Sequence, residues 1–186
     1  MTRTIFIFYF VFLSLFSFSQ ESIFFNRITK EDGLSASWVR CIYQDKNGFM
    51  WFGTGDGLDR YDGYEIKEYK PDDKDPNAIS NGAVIFISER EDGKLWICTE
   101  RGVDIFDVDR GIFSDFELLK NIRVNGVLKD HENFIWFTTS SGLFRYDPVR
   151  KTMINFINDP NDETTISNNN VESVFEDSSH NLWIGT

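Results

Sequence analysis

Four segments of the chain repeat one order of apolar and polar positions. Each centres on a tryptophan: Phe49-Met-Trp51-Phe-Gly-Thr54, Lys94-Leu-Trp96-Ile-Cys-Thr99, Phe134-Ile-Trp136-Phe-Thr-Thr139 and Asn181-Leu-Trp183-Ile-Gly-Thr186, spaced 45, 40 and 47 residues apart. Six residues after the first three tryptophans stands a glycine (Gly57, Gly102, Gly142), and eleven after stands an aspartate (Asp62, Asp107, Asp147). An apolar-rich run precedes each tryptophan: Trp38–Tyr43, Ala83–Ile87, Val124–Leu128 and Val171–Phe175. Repetition at this period marks modules that bury surface against one another.

Each unit reads as four short strands. In the first, Trp38–Gln44 is β-branched and aromatic, Asp45-Lys-Asn-Gly48 is a turn, and Phe49–Thr54 is the second strand. Gly55-Asp-Gly57 turns the chain into Leu58–Tyr61, and Asp62-Gly63 turns it again into Tyr64–Lys70. Asp92-Gly93, Asn133 and Asn181 are the residues expected to hold the first turn in later units, where left-handed backbone favours glycine or asparagine. Sustained helical spacing of apolar residues is absent after the first twenty positions.

The second strands decide the architecture. Side chains alternate between the two faces of a strand, so Trp51 lies on one face while Met50 and Phe52 lie on the other. Trp96 with Leu95 and Ile97, Trp136 with Ile135 and Phe137, and Trp183 with Leu182 and Ile184 repeat the arrangement. Both faces are apolar, whereas an open antiparallel layer keeps one polar face. Four-stranded sheets stacked face to face around an axis bury both, which is an all-β fold, a β-propeller of four-stranded antiparallel blades. The units run over about 33–79, 80–121, 122–166 and an incomplete 167–186, roughly three and a half blades and a partial ring.

The amino terminus follows a different pattern. Arg3 is followed by an almost purely apolar run, Ile5–Phe18, then Ser17-Phe18-Ser19 and polar Gln20-Glu21. That order reads as a secretory signal peptide over residues 1–19, its apolar stretch too short to cross a bilayer comfortably. Export is therefore expected, with residues 20–186 on the far side of the inner membrane. Loss of Arg3 makes the net charge of −11 one unit more negative, which argues against a nucleic-acid partner. Cys41 and Cys98 sit at different places in their repeats and read as packed thiols rather than a disulfide.

Asp32-Gly-Leu-Ser35, Gln44–Thr54, Asp56-Gly-Leu-Asp-Arg-Tyr-Asp-Gly63 and Leu182-Trp-Ile-Gly-Thr186 together resemble the two-component regulator propeller repeats, over about residues 28–186. The departures are Cys98 and Thr138 in place of the glycine of Trp-x-Gly-Thr, and a third unit without the glycine of its first turn. The resemblance implies the periplasmic sensor part of a hybrid histidine kinase that regulates polysaccharide or nutrient use. It also implies an inner-membrane receptor that works as a homodimer.

In a propeller the second-to-third turns and the fourth-to-first connections share one face. Here the connections Lys70–Gly82, Leu119–Ile122 and Asn158–Asn170 read as variable, and variable loops on a rigid scaffold are where recognition sits. The ligand-binding candidates are Asp56, Arg101, Ser141, Asn81 and Asn169, for an oligosaccharide or other small extracellular ligand. Pro71–Pro76 and Asp159–Glu163 are acidic but lack ordered calcium-ligand spacing, and no Cys/His spacing suits zinc. No metal, cofactor or catalytic residue is expected. His131 and His180 fall in separate turns and read as surface residues, and Arg60 and Arg145 as snorkelling or ion-paired cations. The rival reading is a secreted propeller enzyme, a lyase or glycosidase, whose catalytic residues lie beyond residue 186.

Overall fold

The chain forms strands where its aromatic and β-branched runs predict them, and most antiparallel pairs are joined by a turn with its own side-chain clasp. The computed structural model describes residues 23–186, so the signal-peptide reading falls outside the described residues. The first sheet is β1 (Val39–Gln44), β2 (Met50–Thr54), β3 (Leu58–Tyr61) and β4 (Ile66–Tyr69). The second is β5 (Val84–Arg90), β6 (Lys94–Thr99), β7 (Gly102–Asp107) and β8 (Ile112–Asp115), and the third is β9 (Val124–Lys129), β10 (Ile135–Thr139), β11 (Gly142–Asp147) and β12 (Thr152–Phe156). A two-stranded sheet, β13 (Ser173–Glu176) and β14 (Leu182–Gly185), follows. All four are simple antiparallel meanders. Two 3-10 turns, Lys30–Asp32 and Glu117–Leu119, are the helical elements among the described residues.

Sheets stack in chain order, each by one unlike pair of faces. The tryptophan side of the first sheet (Trp51, Leu58) packs on Leu95 and Ile97 of the second. The tryptophan side of the second (Trp96, Cys98) packs on Ile135 and Phe137 of the third, and Trp136 with Leu143 meets Val174 and Leu182 of the fourth. First strands adjoin first strands (β1 with β5, β5 with β9, β9 with β13), so they are the inner strands of a propeller arc. Trp51, Trp96 and Trp136 are 0%, 3% and 7% exposed, while Trp183, on the unpartnered last face, is 65% exposed. Ile42, also exposed, marks the corresponding bare face at the other end.

The first turn of three units is tied to its tryptophan by one hydrogen bond. The indole Nε1–H donates to the aspartate six residues earlier: Trp51 to Asp45 at 2.8 Å, Trp136 to Asp130 at 2.7 Å and Trp183 to Asp177 at 2.8 Å. The bond from Trp183 leads the effects that hold Asp177 down at about 2. In the second unit Arg90 replaces the aspartate and lies over the Trp96 ring instead, 5.0 Å from its centroid. The left-handed residue three before each tryptophan is Gly48, Gly93, Asn133 and His180. In the fourth unit it is therefore His180, and not the expected Asn181, that carries positive φ.

Two other expectations shift. The connection from β8 to β9 spans 116–123 and contains a 3-10 turn, so it is longer than Leu119–Ile122. The outer strand of the first sheet shrinks to Ile66–Tyr69, because the Asp62 carboxylate accepts the N–H groups of Tyr64 and Glu65 and widens the turn. Asp147 accepts Val149 and Arg150 in the same way, and Asp107 accepts Arg110.

The departure at Thr138 has a steric explanation. Gly53 faces Cys41 across the strand pair, and a Cβ there would meet the Cys41 Sγ at 2.4 Å. In the third sheet the sizes are exchanged, with Thr138 facing Gly126, and in the fourth Gly185 faces Ser173. These three pairs keep a glycine where inner strands crowd, whereas the second sheet does not. Cys98 faces Phe86 and is fully buried, and both cysteines are free thiols whose titration burial pushes up, Cys41 to about 11. The glycines after each tryptophan mark another close approach: Gly142 has φ 118°, and a Cβ would meet the Phe156 carbonyl oxygen at 2.6 Å.

Trp96 contacts Phe116 and Phe137 edge to face, at 5.2 and 5.4 Å between centroids. Trp96→Ala is expected to cost roughly 3–5 kcal/mol in a denaturant melt, and a loss under about 1 kcal/mol would contradict the stacking.

Candidate functional site

Thr54, Thr99 and Thr139 end the second strands and build three equivalent turns. Each hydroxyl donates to the carbonyl of the following glycine (Gly57, Gly102, Gly142) and accepts the N–H of the residue between, which is Asp56, Arg101 or Ser141. These three candidates therefore occupy one structural position and point from exposed turns.

Each turn is backed by the connection leading to the next inner strand. A Cβ on Gly82 would lie 3.1 Å from the Asp56 carbonyl carbon, Asn121 N–H donates to the Arg101 carbonyl at 2.7 Å, and Gly142 N–H donates to the Asn169 carbonyl at 2.7 Å. The candidates are thus brought together in pairs, Asp56 beside Asn81–Gly82 and Ser141 beside Asn169. Asn81 and Asn169 also spend their side-chain oxygens on backbone: Asn81 accepts Ala83 N–H and Asn169 accepts Asn158 N–H.

The two long connections are more alike than their sequences suggest. Asp72 and Asp75 accept the N–H two residues on, and Asp159 and Asp162 do the same at equivalent places. Their carboxylates organise consecutive Asx turns. Each connection then delivers a serine sixteen residues before the tryptophan: Ser80 and Ser167, with Ser35 in the first unit.

That serine meets a buried acid. Ser35 gives its N–H and hydroxyl to Asp59 at 2.9 and 2.8 Å, and Ser80 gives both to Asp104 at 3.0 Å. Asp59 and Asp104 are fully buried on the faces opposite their tryptophans, a position that a carboxylate tolerates only with donors. The third unit lacks the serine (Lys120 stands there) and places Phe144 where the acid would be. Sequence reading missed this pairing, although serine at one offset and aspartate at another recur together.

In the second sheet the arrangement opens to solvent. A cleft of about 140 Å³ is lined by Ser80, Arg101, Asp104, Asp115, Lys120 and Asn121, among others. Asp104 is one of the lining residues, and its buried Oδ1 has no hydrogen-bond partner among the described residues. Lys120 bridges Asp115 and Glu117, both at 3.1 Å, whereas Arg101 on the rim has no ion pair among the described residues.

A second polar group lies where inner strands reach this face. β1, β5 and β9 each carry a bulge eleven residues before the tryptophan, at Arg40, Ile85 and Asn125. A bulge re-aims its side chain. Arg40 reaches Glu100 of the next sheet at 2.7 Å, which pulls the Glu100 carboxyl below its usual range, and the Asn125 amide donates to the Val171 carbonyl at 2.8 Å. Trp38, 71% exposed, stands at the start of β1 with the Arg40 guanidinium 5.3 Å from its ring. Neither Arg40 nor Trp38 was singled out by sequence, where Trp38 reads as one more strand residue. Arg60 and Arg145 lie 4.6 Å over the Phe49 and Phe134 rings, a packing role.

On the opposite face, His131 and His180 stack against each other beside Glu176, although they read as unrelated surface residues in the sequence.

The sequence profile described as "Two component regulator propeller" matches residues 33–56 and 165–186. Histidine kinase P4 of Formosa agariphila is 44% identical over 72 residues, which is 38% of this chain and 5% of that protein. The extracellular domain of a hybrid two-component system from B. thetaiotaomicron superposes with TM-score 0.73 at 23% identity, covering 84% of this chain and 21% of that one. Virginiamycin B lyase from Staphylococcus aureus superposes with TM-score 0.55 at 20% identity, over 78% of this chain and 48% of the lyase. The chain thus spans a small part of these relatives, and the structural likenesses establish the propeller fold.

Burial is the main cause that pushes Asp104 up to about 6, with the nearby Asp115 adding to it against the Ser80 donors. A proton held more tightly by the folded chain makes stability fall as pH rises between the ordinary value near 3.8 and about 6. Asp104→Asn keeps an acceptor for Ser80 and removes the titration. In denaturant melts between pH 4 and 6.5 the native chain is expected to lose about 2 kcal/mol more than the variant, and parallel pH profiles would refute the assignment.

Proposed function

Because residues 33–56 and 165–186 match the two-component regulator propeller profile and the sheets between them repeat the same plan, we propose that residues 23–186 belong to the extracytoplasmic sensor of a hybrid histidine kinase. Histidine kinase P4 is 44% identical over 72 residues, and a hybrid two-component system's extracellular domain shares the fold over most of this chain. The extracellular-domain neighbour supports an exported location, as does the apolar amino-terminal run, and no described helix is long and apolar enough to cross a membrane.

The ligand this face suits is a polyhydroxylated one, such as an oligosaccharide released from a polysaccharide. The observation that carries this is the cleft lined by both the exposed Arg101 and Asp104, whose buried Oδ1 has no donor among the described residues. A sugar hydroxyl can donate to the first and accept from the second. The cleft's volume is below the ~300 Å³ of a self-sufficient small-molecule pocket. It therefore takes a single ring or chain end, with the rest of the ligand on the turns at Asp56 and Ser141. Trp38 beside Arg40 adds an aromatic platform at the inner rim.

The region acts by binding. Ligand shifts the receptor only as far as it prefers one of two arrangements, and a homodimeric receptor places two such faces under one output. Titrating the full chain with a panel of glycan fragments by calorimetry tests the reading. At least one fragment is expected to bind, with Arg101→Ala weakening it about tenfold. No heat with any fragment, or unchanged affinity in the variant, would overturn recognition at this face.

A further inference from the structure

The seam between the third and fourth sheets carries a cluster that the ligand face does not use. His131 lies in the β9–β10 turn, Glu176 ends β13, and His180 lies in the β13–β14 turn. The two imidazoles stack with centroids 3.8 Å apart and planes at 25°. Both Nδ1 atoms face the Glu176 Oε1, His180 at 3.3 Å and His131 in closer contact, while the His131 N–H donates to Oε2 at 2.9 Å. One ligand atom from each residue falls within 4.8 Å of the others.

We propose that His131, Glu176 and His180 bind a divalent transition-metal cation, zinc foremost, and clamp these two sheets together. Two imidazoles and one carboxylate form a donor set suited to zinc, whereas calcium and magnesium prefer oxygen alone. Tetrahedral bonds of about 2.0–2.1 Å separate ligand atoms by roughly 3.3 Å, so the His180–Glu176 spacing already fits. His131 needs only side-chain rotation to join them. Both imidazoles are partly exposed, with side chains 44% and 58% accessible, which leaves the remaining position to water. Binding takes up neutral imidazoles and a carboxylate, and a protonated histidine releases its proton to solvent.

The other seams show what the same places do without a third donor. Counted from their tryptophans, Glu91 and Lys129 occupy the positions of His131 and Glu176, and they form an ion pair. Lys46 and Glu89 occupy them in the first seam, again with opposite charge. A cross-seam pair thus forms at these positions in the second seam, and His131 with Glu176 forms it in the third. His180 is the addition. It stands at the left-handed turn position, φ 65°, where the other units use glycine or asparagine. Its side chain is what turns a pair into a chelating set.

The test uses the full chain, stripped with EDTA and titrated with zinc chloride by calorimetry, with thermal melts alongside. His180→Asn copies Asn133 and so preserves the turn. Wild type is expected to bind one equivalent of zinc and to melt higher when loaded. His180→Asn should bind about tenfold or more weakly while its metal-free melt is unchanged, and His131→Gln should weaken zinc similarly. Cobalt substitution should give the visible absorption of a four-coordinate site. Absence of saturable one-to-one binding, equal affinity in His180→Asn, or calcium binding as tight as zinc would each overturn the proposal. A failure here leaves the reading of the opposite face intact.

Discussion

Everything in this fold depends on one kind of contact, an indole on one sheet filling the space between the two residues that flank the indole of the next. A strand has two faces, and burying only one leaves the other wet or sticky. By placing Trp51 opposite Leu95 and Ile97, and Trp96 opposite Ile135 and Phe137, the chain uses both faces of every inner sheet with one rule. The indole also organises its own unit, because its single donor closes the preceding turn on Asp45, Asp130 or Asp177. Packing between sheets and turn geometry within a sheet are thus set by the same side chain.

Polar chemistry is fitted around that apolar stack at its two rims. On one rim the threonine after each tryptophan holds a turn whose middle residue is free to vary, so Asp56, Arg101 and Ser141 share geometry but not chemistry. Beneath them the Ser80–Asp104 pair anchors the Lys70–Gly82 connection and the Ser35–Asp59 pair anchors the segment before β1, each at the expense of a buried acid. On the other rim, Glu91 and Lys129 pair across one seam and Glu176 meets His131 across the next. The division lets binding residues change without disturbing the layers that hold the arc together.

The strands, their antiparallel order and the stacking of both faces were legible in the sequence, because indole spacing and alternation are local signals that repeat. The grouping of turns and connections on one face followed from topology alone. What stayed hidden depends on offsets between separate units. Asp104 reads as an ordinary strand acid until Ser80, 24 residues earlier, is seen donating to it. His131 and His180 belong to different units, and only the stacking of sheets brings their rings together. Asn181 was the natural choice for a left-handed residue, yet the register of the Asp177 clasp moves that conformation to His180. Arg40 and Trp38 stand out only through a bulge, which composition does not reveal.

The unlike pairing of faces gives the arc a direction, since each joint has a donor side and a receiver side. No individual joint records how many modules the assembly should contain; that number comes from the angle accumulated over successive wedges. Duplicating one whole unit leaves every joint with its proper counterpart, whereas losing part of one strands an indole without a receiver. Such a design can change its circumference by recombination while its contacts remain the same.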